Sequence, residues 1–155
     1  MSAGNLPAPD ESFSSRTRRE GECLMWTGPI NPRGYGTFKL GERSLGPHRY
    51  AWELVNGPIP EGMQVDHTCW NRSCVEVAHL RLATNAENSR SLKSARPNST
   101  TGVRNVSYSR GRFVVRLKKN YKNYHFGSYA TIEEAARVAM RKRRELFGDF
   151  SGDHQ

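Results

Sequence analysis

Between residues 112 and 118 apolar and basic side chains alternate. Phe113, Val115 and Leu117 fall on one parity, and Arg112, Arg116 and Lys118 on the other. Period two marks a strand with one buried and one wet face. Ser109-Arg110-Gly111 precedes the run and Asn120–Asn123 follows it, both turn-forming, and Tyr124–Tyr129 reads as the next strand. The period then changes. Thr131-Ile132-Glu133-Glu134 is a capping box, with Ile132, Ala135, Ala136 and Ala139 at helical spacing and Gly148 as a stop. Residues 102–150 are therefore expected to form a three-stranded antiparallel sheet, its apolar face on the alanine stripe of one helix.

Residues 21–92 are less periodic and rich in glycine and proline. Leu80-Arg81-Leu82 reads as a short strand, and Thr84-Asn85-Ala86-Glu87 as a second capping box, which puts Asn88 in the first turn of a helix. Trp26 and Trp52 are expected in the core. The polar stretch 1–20 reads as a disordered leader, 93–101 as a linker in which Pro97 stops any helix, and 151–155 as a tail. The fold class is α+β: a small domain at 21–92, then the sheet and helix of 102–150.

Composition narrows the function. The chain has 155 residues, 35% hydrophobic and 25% charged, with a net charge of +9. That apolar content supports modest cores rather than one large one. No run approaches a membrane span and no secretory h-region is present, so membrane and secreted disulfide scaffolds are excluded. The charge is uneven. Residues 89–155 hold 15 Lys/Arg against 5 Asp/Glu, whereas residues 1–88 hold 9 against 10. A cationic half beside a near-neutral one suggests two modules, one built to hold a polyanion. Arg141–Arg144 reads first as a solvated helix end, and His125 on the third strand faces a nucleic acid if one binds there.

All three cysteines lie in the near-neutral half. Cys23, Cys69, Cys74 and His79 form a soft set of four, the number a structural tetrahedral Zn²⁺ requires. Buried unmetallated thiols, or oxidation of Cys69 with Cys74, are the other readings. Interleaved with it is a hard set. Asp66 and Asn88 offer oxygen ligands of the kind Mg²⁺ takes, and His67 is a candidate proton acceptor near neutral pH.

Together these residues resemble the HNH nuclease family. The likeness runs from Cys23 to Arg90 through Gly34-Tyr35-Gly36, His48-Arg49, Asn56-Gly57-Pro58-Ile59-Pro60, Asp66-His67, Cys69, Asn71, Cys74, His79-Leu80 and Glu87-Asn88. It implies a ββα-metal core. The interleaved Cys/His ligands are similar to those of His-Cys box homing endonucleases, in which a zinc staples the same core. His79 stands where many relatives carry Asn, and the zinc-bearing version assigns it to the zinc. The resemblance implies phosphodiester hydrolysis of double-stranded DNA, with His67 as general base, Mg²⁺ (or Mn²⁺) on Asp66 and Asn88, and 5′-phosphate products. Arg49 is a candidate phosphate clamp, or equally a helix-surface arginine.

Residues 102–150 resemble the AP2-type DNA-binding domain. The likeness rests on Gly102-Val103-Arg104, Gly111–Leu117, Phe126–Tyr129 and Thr131–Ala136. It implies base or phosphate contacts from Arg104, Arg112, Arg116 and Lys118, although Arg116 replaces a residue that is commonly acidic in plant versions. The expected protein is a homing-type endonuclease positioned by its second domain, phage-encoded and acting in the host cytoplasm. The alternative is a non-catalytic DNA-binding regulator on a zinc-stapled scaffold.

Overall fold

The computed structural model describes residues 10–153. The chain divides into two compact units, one ending at Asn85 and the other running from Ala86. The break lies at Asn85 rather than at residue 92, and residues 93–101 belong to the second unit.

The first unit opens with α1 (Glu11–Ser14) and β1 (Thr17–Glu20), antiparallel to β2 (Cys23–Trp26) in the register Thr17↔Trp26. Residues 10–20 are thus ordered, a correction to the expected leader; residues 1–9 lie outside the described residues. The physical reason is one aromatic ring in a polar stretch. Phe13 is 5% exposed, with ring centroids 5.6 Å from Trp26, 5.6 Å from Phe38 and 5.0 Å from Tyr50. Asp10 caps the short helix by accepting from Ser12 N at 2.8 Å.

Next come the hairpin β3 (Phe38–Leu40) with β4 (Arg43–Leu45), then α2 (Pro47–Asn56). Helix α2 starts on Pro47, whose fixed φ suits a first turn, and buries Tyr50 and Ala51. Trp26 and Val65 complete the same core, and Trp52 packs against its edge. Gly36 is required where Trp26 and Pro47 close on the backbone: a Cβ there would lie 2.6 Å from the indole and 2.5 Å from the proline ring. Strand β5 (Met63–His67) pairs antiparallel with β6 (Leu80–Thr84), setting Asp66 opposite Arg81 and His67 opposite Leu80. Residues 68–79 form the loop between them. Helix α3 (Asn85–Arg90) follows β6 directly, so the chain order is β, β, α.

The second unit holds β7 (Val106–Ser109), β8 (Arg112–Lys119) and β9 (Lys122–Tyr129) in an antiparallel sheet of that order, followed by α4 (Ile132–Phe147). Val115 and Leu117 pack on Ala135 and Ala139, as the alternation requires. Arg112, Arg116 and Lys118 are exposed on β8. The β8–β9 register shifts between Val114 and Arg116, and Gly127 takes a positive φ of 110° there.

One expectation about cations is corrected. Arg143, in the run read as a solvated helix end, is 6% exposed. Its guanidinium bonds both oxygens of Asp153, at 2.7 and 2.6 Å, and the Arg104 carbonyl at 3.1 Å. The start of the tail is therefore packed: Ser151 and Gly152 are buried, and only residues 154–155 lie outside the described residues. A bidentate pair inside a small core outweighs the general tendency of helix-end arginines to stay wet. Arg104 is also drawn inward, its side chain 12% exposed and 3.7 Å from Asp153.

Truncating the ring that anchors the N-terminal segment tests its place in the core. Phe13→Ala should cost about 3–5 kcal/mol in the first unit's unfolding by denaturant, the range for emptying a buried aromatic site. A change near zero would return residues 10–20 to a loose leader.

Candidate active site and metal centre

Cys23 reaches the 68–79 loop because backbone pairing brings β2 beside it. Trp26 N donates to Ser73 O at 2.8 Å and Val75 N to Leu24 O at 2.7 Å, bridging Met25 to Cys74. The loop is folded back on itself by Thr68 N to His79 O at 2.8 Å and by the Asn71 side chain, which accepts from Ser73 N at 3.1 Å. Consequently one ligand atom each from Cys23, Cys69, Cys74 and His79 lies within 4.8 Å of the others.

The edges can be checked against a metal. Zn–S of about 2.3 Å and Zn–N of about 2.0–2.1 Å at tetrahedral angles give an S···N edge of roughly 3.6 Å. His79 Nδ1 lies 3.5 Å from Cys23 Sγ and 3.6 Å from Cys74 Sγ. The donor set and its edges therefore fit zinc. Without an ion, burial pushes the Cys74 thiol up to about 12, and the neighbouring cysteines Cys69 and Cys23 add to that. Burial likewise raises Cys23. A metal bound there would draw the protons off Cys23 and Cys74.

His67 ends β5, 5% exposed. Its Nε2 lies 3.0 Å from the Cys74 carbonyl. A carbonyl only accepts, so Nε2 carries the hydrogen and Nδ1 holds the lone pair of the neutral ring. Burial lowers the His67 pKa, aided by the nearby Arg72 charge; the Cys74 bond and Asp66 oppose the shift. His48 and Tyr35 wall the ring at centroid distances of 5.0 and 6.2 Å. Burial first, then the charges of His67 and Arg49, pushes His48 down to about 3, so it stays neutral. Arg72 lies over Tyr35 at 5.2 Å and donates to Arg33 O at 2.7 Å.

Asp66 is 8% exposed and receives Arg81 Nε at 3.0 Å and Nη2 at 2.9 Å, both on Oδ2. Asn88 lies in α3 and belongs to the second unit. Arg49 is exposed on α2. Sequence reasoning left His48 undecided and did not single out Tyr35, Arg72 or Arg81 as neighbours of the site. The Gly-Tyr-Gly and His-Arg motifs were the available signal for the first two. Arg81 is visible only through the register that sets it opposite Asp66.

Residues 46–90, which include Asp66, His67 and Asn88, match the family model described as HNH endonuclease. The chain is 37% identical over 106 residues to protein 3.8 of Escherichia phage T7, covering 67% of this chain and 86% of that protein. The chain belongs to the HNH endonuclease family. This HNH family member is also 32% identical over 120 residues to the uncharacterized HNH endonuclease L560 of Acanthamoeba polyphaga mimivirus, covering 77% of this chain and 61% of that one. It is 38% identical over 71 residues to protein 7.7 of phage T7, covering 46% of this chain and spanning 55% of that relative. No solved structure matches. Among the described residues no helix is long and apolar enough to cross a membrane.

Protein purified from zinc-supplemented medium should carry one zinc per chain by elemental analysis. Cys74→Ser and His79→Ala should both lose it and lower the first unit's melting temperature. Full stability without bound metal in the wild type would show that the cluster is a set of packed thiols.

Proposed function

We propose that the chain is a metal-dependent DNA endonuclease in which His67 activates the attacking water. The observation that carries this reading is the bond from His67 Nε2 to the Cys74 carbonyl, 3.0 Å, which leaves Nδ1 as the acceptor. A buried, neutral imidazole with its tautomer held by a backbone carbonyl is prepared to take a proton from water. Asp66 and Asn88 are the proposed ligands of Mg²⁺ or Mn²⁺. An oxygen-only donor pair suits a hard cation, and both Arg81 bonds fall on Oδ2, so they do not occupy Oδ1. Bound there, the ion supplies charge stabilisation for the pentavalent phosphorus and the leaving 3′ oxygen. Arg49, exposed on α2, is proposed as a phosphate contact.

The zinc on Cys23, Cys69, Cys74 and His79 is proposed to be structural. All four positions are taken by protein, so no site remains for substrate. The second unit is proposed to position the duplex. Its sheet presents Arg112, Arg116 and Lys118, with His125 opposite Arg116, and a two- or three-stranded ribbon fits a major groove. Arg104, drawn inward beside Asp153, borders this face. AP2-like positioning and a homing role in a phage-infected cell belong to the same proposal.

His67→Ala should abolish Mg²⁺-dependent nicking or cleavage of DNA while duplex binding persists. Equal cleavage by the variant would remove His67 from the chemistry, and sequence-specific binding with no cleavage under any divalent metal would favour the regulator. The pH profile adds an independent check. A lowered pKa keeps the base neutral at lower pH, so the acid limb of cleavage should lie below 6.5, the ordinary histidine value. An acid limb at or above that value would contradict a buried base.

A further inference from the structure

Residues 89–99 are not an inert connector. Together with β7 and β8 they line an open cleft of about 450 Å³. Five cations stand on its walls: Arg90 and Arg96 from this segment, Arg104 from the turn before β7, and Arg116 and Lys118 from β8. No carboxylate is among the lining residues. Elsewhere in this unit cations find acids, as Arg143 does with Asp153 and Lys142 with Glu145. Asp153, 3.7 Å from Arg104, offsets one of these charges; Arg90, Arg96, Arg116 and Lys118 remain, and their mutual repulsion is relieved by an anion.

The cleft is also built rather than incidental. Arg104 Nη2 donates to the Arg90 carbonyl at 2.9 Å, tying the segment to the sheet side. The Arg90 guanidinium lies 5.2 Å from the centre of the Phe147 ring, which holds it in place. Gly152 abuts the segment at Leu92. Its φ is +71°, and a Cβ there would lie 2.3 Å from Leu92 O, so the segment is packed against the end of the chain. Arg104 Nη1 is buried and lies 3.7 Å from Asp153 Oδ1, so Arg104 serves to hold the cleft wall in place.

We propose that this cleft binds the phosphodiester backbone of nucleic acid, extending the cationic face of β8 onto residues 89–99. The arrangement suits a polyanion rather than one small anion, because the cations are spread over two walls. Arg116 and Lys118, two residues apart on a strand, stand roughly 6.6 Å apart along it. One DNA strand carries a phosphate per roughly 3.4 Å of axis, so the two meet different phosphates. Planar guanidinium forks match phosphate oxygens, and three of the four cations other than Arg104 are arginines. The inference rests on the reading that the chain acts on DNA, and adds a positioning surface to it.

The test uses the full-length, zinc-loaded chain and a 20-bp duplex, with the slope of log K against log salt as readout. Each phosphate contact contributes about 0.9 to that slope. R96Q, at an exposed side chain, should lower its magnitude by about 0.9, and R90Q/R96Q by about twice that. The charge-matched pair R137Q/R141Q on α4 should change it little. Because Arg90 also stacks on Phe147, unchanged thermal melting of R96Q keeps the result interpretable. If R96Q and R90Q/R96Q keep the wild-type slope, or match R137Q/R141Q, the proposal is overturned. Inorganic phosphate is the second probe: binding that depends on Arg90 and Arg96 while the DNA slope does not would make this a small-anion site and overturn the backbone assignment. Cleavage is scored separately. Intact cleavage with an unchanged slope sinks the cleft and leaves the nuclease reading; cleft-dependent binding without any cleavage does the reverse.

Discussion

The meeting of Cys23 with Cys69, Cys74 and His79 is the constraint on which the rest of the first unit depends. These four come from a strand near the start of the described chain and from one loop, and backbone pairing at Met25 and Cys74 joins the two. The same loop leads back into β6, and its Cys74 carbonyl meets His67. Order in the cluster is therefore passed on, through one residue, to the imidazole proposed as the base. A core made of Phe13, Trp26, Phe38, Tyr50 and a few aliphatic residues is small for this length of chain. A four-ligand ion adds order that such a core lacks.

Burial has opposite uses at neighbouring positions. It raises the thiols at Cys23 and Cys74 and so resists their deprotonation. It lowers His48 and His67 and so keeps both imidazoles neutral. His48 packs against Tyr35 and His67. For His67 burial preserves a lone pair. Desolvation is one physical term, and its consequence differs because a thiol is charged when deprotonated and an imidazole when protonated.

In the second unit, the count of basic residues overstates the charge turned outward. Arg143 is taken into a bidentate pair with Asp153, and Arg104 into the same cluster. What remains on β8 and residues 89–99 is a smaller group with a definite address. The C-terminal residues read as a tail are part of how that address is kept, since Asp153 holds the arginines and Gly152 abuts Leu92.

The sheet and helix of the second unit were legible from residues alone, because alternation at Phe113, Val115 and Leu117 and the capping box at Thr131 are local signals. So was the grouping of Cys23, Cys69, Cys74 and His79, whose residue types suit a metal and which the fold brings together. Phe13 was not legible: a lone aromatic in a polar run shows no period, and its burial depends on Trp26, Phe38 and Tyr50 far along the chain. Arg143 was misread for a related reason, since its carboxylate partner is Asp153 and composition does not reveal pairing. Local periodicity and ligand chemistry, then, belong to the sequence by itself. The tautomer of His67, the Asp66–Arg81 pair, the buried arginines and the cleft of residues 89–99 were decided only in three dimensions, because each depends on which distant groups exclude water from it.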